Sequence, residues 1–214
     1  EIMFSYRFGH MEMNKIMNGT KVLYSDNITS VPNGASNGSG NYMNTSVSMK
    51  MDMHMFGAMY APHDLLTLML MTSYFEKEMT QRRMPMAGGG LFDVNSSGIS
   101  DTRFSGILKV FEEDYLKTSI GFGISIPSGS IDIRDNTPTS SSSRLGYSMQ
   151  NGSGTFDPFI FINNINNLGR LKVGEKFLFK KSVYKNTKNY KQGDLFKATL
   201  WTSYRWVDYI STSV

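Results

Sequence analysis

Sixteen methionines and three histidines are the side chains of this 214-residue sequence best able to do unusual chemistry. Met49, Met51, Met53, Met55 and Met59 recur at a period of two. Met69 and Met71 follow, and His10, Met11, Met13 and His54 are also available. Thioethers and imidazoles are soft ligands suited to Cu(I), so Met69, Met71 and His54 are candidates for a soft-metal path. The stronger explanation is plainer. Methionine is an adaptable apolar filler, and a period-two stripe of it is the apolar face of a strand. No metal and no other cofactor is expected.

A second set is charged. Arg7, Asp101, Arg103, Lys109, Lys117, Asp157, Lys197 and Arg205 all lie inside runs that otherwise alternate with apolar residues. Catalytic constellations are absent from the reading. Gly152-Ser153-Gly154 is not followed by a helical pattern, so it is no nucleophile elbow. Glu76/Glu78 and Glu112/Glu113 fall near strand ends, where solvated charge is the default. There is no cysteine, which excludes a disulfide framework, a thiolate zinc site and a cysteine nucleophile together. An enzyme is not expected.

The elements that carry these residues are strands. Ile2, Phe4, Tyr6 and Phe8 alternate with Met3, Ser5, Arg7 and Gly9. A polar stretch over 14–45, with Pro32, Gly34, Gly38 and Gly40, reads as a loop. A strand over 46–60 follows, then a tight turn at 61–64. The next strand sets Leu66, Leu68, Leu70 and Tyr74 against Thr67, Met69, Met71, Ser73 and Lys77. A polar loop is expected over 80–97. Phe104, Gly106, Leu108 and Val110 then alternate with Arg103, Ser105 and Lys109. The clearest strand is 116–126, with Ile120, Phe122, Ile124 and Ile126 opposite Ser119, Gly121, Gly123 and Ser125. Beyond a loop over 132–145, further strands are expected over 152–162, 170–184 and from Phe196 to Trp206. An Asn-rich turn at 163–167 joins the first two, and a ninth strand starts at Tyr209.

Connections alternate short and long, as in an up-and-down outer-membrane barrel. Tyr60, Phe111, Tyr115, Trp206 and Tyr209 gather near the short turns, the depth that suits amphipathic rings. Charged residues are 19% and mean hydropathy is −0.29, which a barrel allows because only alternate residues face lipid. No run of about 18 apolar residues exists, so a helical span is excluded. Net charge is +4, without a basic stripe interleaved with aromatics, so nucleic acid is not an expected partner. A soluble sandwich would alternate too, but its strands centre on about 5–6 residues and its dry core rejects Lys, Arg and Asp.

The expected fold is therefore an all-β, antiparallel up-and-down transmembrane β-barrel. Its lumen candidates are Arg7, Met69, Met71, Asp101, Arg103, Lys109, Lys117, Asp157, Lys197 and Arg205. Two readings of the charges stay open: a selective constriction, or interior ion pairs that fill the barrel. On the strand over 46–60 the polar face holds Ser48, Lys50, Asp52 and His54, which favours the methionine stripe in lipid. Phe56 and Tyr60 share that polar face, and they favour the reverse.

Several segments resemble a family of bacterial outer-membrane proteins labelled as transporters, or as components of a meta-pathway of phenol degradation. Met53-His54-Met55-Phe56-Gly57-Ala58-Met59-Tyr60-Ala61-Pro62 carries the resemblance, with Leu66-Thr67-Leu68-Met69. Met3-Phe4-Ser5-Tyr6-Arg7, Ile126-Pro127-Ser128-Gly129-Ser130-Ile131, Met149 to Asp157, and Ala198 to Trp206 are similar too. The resemblance implies a barrel of about a dozen strands in the bacterial outer membrane. About nine are represented, so this single domain is expected to lack C-terminal strands. It also implies a channel for small molecules, with organic or aromatic compounds as the suggested solutes. Outer-membrane lipids and lipopolysaccharide would be its surroundings, and other envelope proteins candidate partners. A sealed accessory barrel is the alternative.

Overall fold

The computed structural model describes residues 1–30 and 42–213. Pro32, Gly34, Gly38 and Gly40, read above as loop, lie outside the described residues. The chain is almost entirely antiparallel β, with nine strands curled strongly into a half-barrel. In chain order the elements are β1 (Ile2–Met13), β2 (Ile16–Asn18), β3 (Lys21–Leu23), α1 (Ser25–Ser30), β4 (Asn44–His63), β5 (Leu66–Arg83) and β6 (Leu91–Ile99). Then come β7 (Thr102–Glu112), β8 (Leu116–Ile126), β9 (Arg134–Thr137), β10 (Ser140–Arg144), β11 (Asp157–Leu168), β12 (Leu171–Lys180), β13 (Leu195–Val207) and β14 (Ile210–Ser213). Among the described residues, no helix is long and apolar enough to cross a membrane.

The main sheet runs β1-β4-β5-β7-β8-β11-β12-β13-β14, a meander in which each long strand pairs with its predecessor. β6 continues the path of β7, and both pair with β5. The Ser100 N–H donates to the Ser73 carbonyl at 2.7 Å, so the ladder carries across the break between them. Two small hairpins, β2–β3 and β9–β10, and the six-residue α1 decorate the long-loop end.

Three expected boundaries move. Residues 80–97 are not a polar loop: β5 runs on to Arg83 and pairs with β6, and the turn is confined to 84–90. Gly88, Gly89 and Gly90 all have positive φ there, at 105°, 61° and 91°, a backbone that glycine adopts without strain. Asn163–Asn167 do not turn either. They pair with β8 on one side or β12 on the other, because two long partners outweigh the turn preference of asparagine. Conversely, 152–156 is not strand; β11 begins at Asp157.

Residues paired directly across antiparallel strands share a face, so the register sorts every side chain. One face carries Phe4, Phe56, Leu70, Phe104, Phe122, Ile160, Phe177 and Phe196, all exposed. Phe4 is 79% exposed, Leu200 70% and Phe122 55%. The opposite, concave face holds the buried Ser105, Ser125, Asp157, Phe159 and Phe161. Glu175, paired with Asn164 and Leu200, is the charged interruption of the convex series.

Close packing on the concave side depends on residues without side chains. A Cβ on Gly121 would collide with the Phe161 ring, and one on Gly174 with the Trp201 indole. Each ring occupies the space beside a backbone that has no side chain of its own.

Candidate functional site

The concave faces of β1, β4 and β5 form a wall of thioethers. Met3 pairs with Met59, and Met59 with Met69; Met13 pairs with Met49, and Met49 with Met79. Between these two all-methionine rows lie Met11, Met51, Met53, Met55 and Met71. The stripe of β4 therefore faces inward, against the reading favoured from its own polar face. The decision comes from the neighbours. Phe56, Ala58 and Tyr60 align with Phe4, Tyr6 and Ile2 on one side and with Leu68 and Leu70 on the other, so they complete the convex apolar face. Lys50 and Asp52 fall beyond it, level with Glu12, Glu76 and Glu78.

Arg7, Met69, Met71, Arg103, Lys109, Lys117, Asp157, Lys197 and Arg205 all stand on this concave face, and Asp101 sits at its upper edge between β6 and β7. They are not one cluster. At the short-turn end, Glu112 bridges Lys109 and Lys117, each at 2.6 Å. A bulge between Lys109 and Phe111 turns Glu112 inward to meet them. Further up, Asp157 is fully buried, accepting from the Thr155 hydroxyl at 2.7 Å and pairing with Lys180 at 3.4 Å. Arg205 lies near the β13–β14 turn.

Two contiguous cavities fill the middle. One, of about 250 Å³, is lined by Arg7, Met55, Met59, Met69, Met71, Ile107, Phe161 and Lys176, so it touches strands from β1 to β12. The other, of about 340 Å³, shares Met55 and Met71 with it and reaches Arg103, Asp101, Asn151, Ser153 and Lys180. A cavity of about 620 Å³ lies at the rim, above the level of the convex apolar band, where His10, Lys50, Asp52, Glu76 and Glu78 line it together with Met51, Lys77 and Ser96.

The long-loop end of the interior is occupied by chain. Residues 145–156 fold inward, with Met149, Gln150, Asn151, Ser153 and Thr155 buried. Met149 and Leu145 pack with Met49, Met79 and Val94. Gln150 accepts from the Ile133 N–H at 2.8 Å and donates to the Ile133 and Leu145 carbonyls. Lys77 donates to the Gln150 carbonyl at 2.7 Å and the Ser148 carbonyl at 3.3 Å. It stands on the concave face, across from Met51 and Ser96 and above the level of the convex apolar band, and burial pushes its ammonium down to about 8. Asp101 receives the Gly129 and Ser153 N–H groups and the Ser153 hydroxyl.

The chain matches no family model and no curated protein. The soft-ligand set of Met69, Met71 and His54 is not assembled: His54 stands on the convex face, where its Nδ1 shares a hydrogen bond with the Tyr6 hydroxyl at 2.9 Å. Among the described residues, no three His, Asp or Glu side chains converge as a metal cage. Lys176, Phe161 and Trp201 are interior residues outside the set of sequence candidates. Their signal was present, since Lys176 alternates with Phe177 and Phe179 just as Lys197 does with Phe196 and Ala198.

Proposed function

We propose that this chain builds the wall of an outer-membrane β-barrel that passes small molecules through its interior. The observation that carries the reading is the inversion of the sheet. Its convex face is aliphatic and aromatic and solvent-exposed, while its concave face buries Ser105, Ser125 and Asp157 and carries Arg7, Arg103, Lys176 and Lys197. A water-soluble barrel would bury the phenylalanines and present the charges. About ten residues at ~3.3 Å rise and ~40° tilt span about 25 Å, the height of a barrel's lipid-facing band. Tyr60, Tyr115, Trp206 and Tyr209, each at least 50% exposed, rim that band on the short-turn side. Backbone in a bilayer must be paired throughout, so the edges β1 and β14 need partner strands. The resemblance to outer-membrane transporters agrees with this reading. Planar-bilayer recording of the purified full chain tests it: discrete conductance steps are expected, and a folded protein that never conducts leaves only the sealed accessory barrel.

A second reading is favoured by the two all-methionine rows, Met3–Met59–Met69 and Met13–Met49–Met79. Three thioethers side by side suit a soft monovalent cation such as Cu(I) or Ag(I). The second row is packed in an apolar cluster, so the first is the one open to solute. Titration with Ag(I) of the wild type and of the triple Leu variant at Met3, Met59 and Met69 decides it. Equal uptake removes the metal.

A further inference from the structure

We infer that the interior selects small organic anions that carry an apolar body. The inference rests on the channel reading and specifies its solute. Its starting point is which interior charges are already spent. Asp101 is held by Gly129 and Ser153, Asp157 by Thr155 and Lys180, and Glu112 by Lys109 and Lys117. Every acidic side chain on the concave face of the described strands is thus engaged.

Four cations in the middle of that face are left over: Arg7 on β1, Arg103 on β7, Lys176 on β12 and Lys197 on β13; Lys172 and Arg205 lie nearer the short turns, and Lys77 is held by backbone carbonyls. Among the described residues, none of them lies within 4.0 Å of a carboxylate. Lys176 and Lys197 are diagonal neighbours on paired strands, since Lys176 lies across from Thr199 and Lys197 from Leu178. Arg7 and Lys176 line the same cavity from far-apart strands of the curled sheet. Like charges facing each other across a space with low-dielectric walls create a positive potential at its centre, and an anion placed there relieves the repulsion.

The rest of the wall defines the body of that anion. Met55, Met59, Met69, Met71 and Phe161 surround the cavity between Arg7 and Lys176. An inorganic anion would gain the charge and leave this surface in water. A neutral apolar molecule would cover the surface and leave four cations unpaired. An organic anion does both, and the planar fork of arginine suits a carboxylate or sulfonate head. Lys176 already lies 4.2 Å from the centre of the Phe161 ring, so charged and apolar subsites adjoin.

The test is reversal potential across a planar bilayer with a KCl gradient, followed by block of the chloride current by hexanoate and by acetate. Chloride should permeate over potassium by about fivefold or more. The Arg7→Met/Lys176→Met variant should bring the ratio near one. Lys50→Met, on the convex face, should leave it unchanged. Hexanoate should block at about tenfold lower concentration than acetate, in line with the burial of its extra methylenes. Conductance that is unselective or prefers potassium overturns the inference and leaves the channel standing. Equal block by the two carboxylates overturns the apolar subsite. Absence of any conductance overturns the channel and this inference with it. Altered mobility of unheated samples on electrophoresis identifies variants that have failed to fold.

Discussion

Asp101 takes two hydrogen bonds from Ser153, one from its backbone N–H at 2.8 Å and one from its hydroxyl at 2.6 Å. The same carboxylate receives the Gly129 N–H at 3.1 Å. One side chain at the β6–β7 break therefore pins both ends of the long β8–β11 connection over the interior. Bonds to an ionised acceptor are worth about 1.5–3 kcal/mol each, and the connection gives some back in freed entropy. Asp101→Ala is expected to cost about 3 kcal/mol of stability in urea unfolding. Amide exchange should rise at 127–131 and 150–156 before it rises in β8. On the channel reading, the same variant should conduct more than the wild type, because the inward-folded segment is released.

Gly121 and Phe161 make a complementary pair across β8 and β11. Gly121→Val should destabilise by about 1–3 kcal/mol, since the ring has nowhere to go without disturbing Phe159 and the strand beneath. Adding Phe161→Ala to it should recover part of the loss. That non-additivity, read from the double-mutant cycle, separates steric conflict from a change in strand propensity.

Met55 and Phe56 are neighbours in sequence on opposite faces of β4. The chain has no cysteine, so single Cys substitutions can be read without background. In lipid bilayers, Met55→Cys should react with a water-soluble maleimide while Phe56→Cys stays protected. Reversed labelling would return the methionine stripe to the lipid side.

Lys77 links stability to pH. Its folded-state value is about 8 against an ordinary 10.5, because burial disfavours the ammonium. Between those values the unfolded chain binds the extra proton, so Lys77 makes stability rise with pH across that window. Below about pH 8 both states carry the charge and its contribution is flat. The difference in urea midpoint between wild type and Lys77→Met, followed from pH 7 to pH 10, should shift toward the wild type as pH rises. A difference independent of pH would contradict the buried ammonium.

Much of this architecture was legible in the residues. Period-two alternation identified nine strands, and 116–126 coincides with β8 (Leu116–Ile126). It identified which side chains share a face, because successive residues of a strand must point to opposite sides. That is why the charged candidates, chosen from separate strands, all came to rest on one surface. Alternation failed where local preference and pairing disagreed. Asparagines at 163–167 suggested a turn and were drawn into β11, and the polar loop expected over 80–97 gave 80–83 to β5 and 91–97 to β6.

Which face is the inner one is a different kind of fact. In β4 the methionine face is apolar throughout and the opposite face turns apolar at Phe56, so β4 alone does not decide between Met55 and Phe56. The choice is made by β1 and β5, whose aromatic and leucine rows continue through Phe56 and Tyr60. The same holds for charge. Eight charged positions can be read from the sequence as candidates, but only the fold brings Glu112 between two lysines, gives Asp101 to Ser153, and leaves Arg7 and Lys176 on one cavity. Sequence determines the alternation because it is a property of one strand. Curvature and register, which belong to the whole sheet, decide what meets inside.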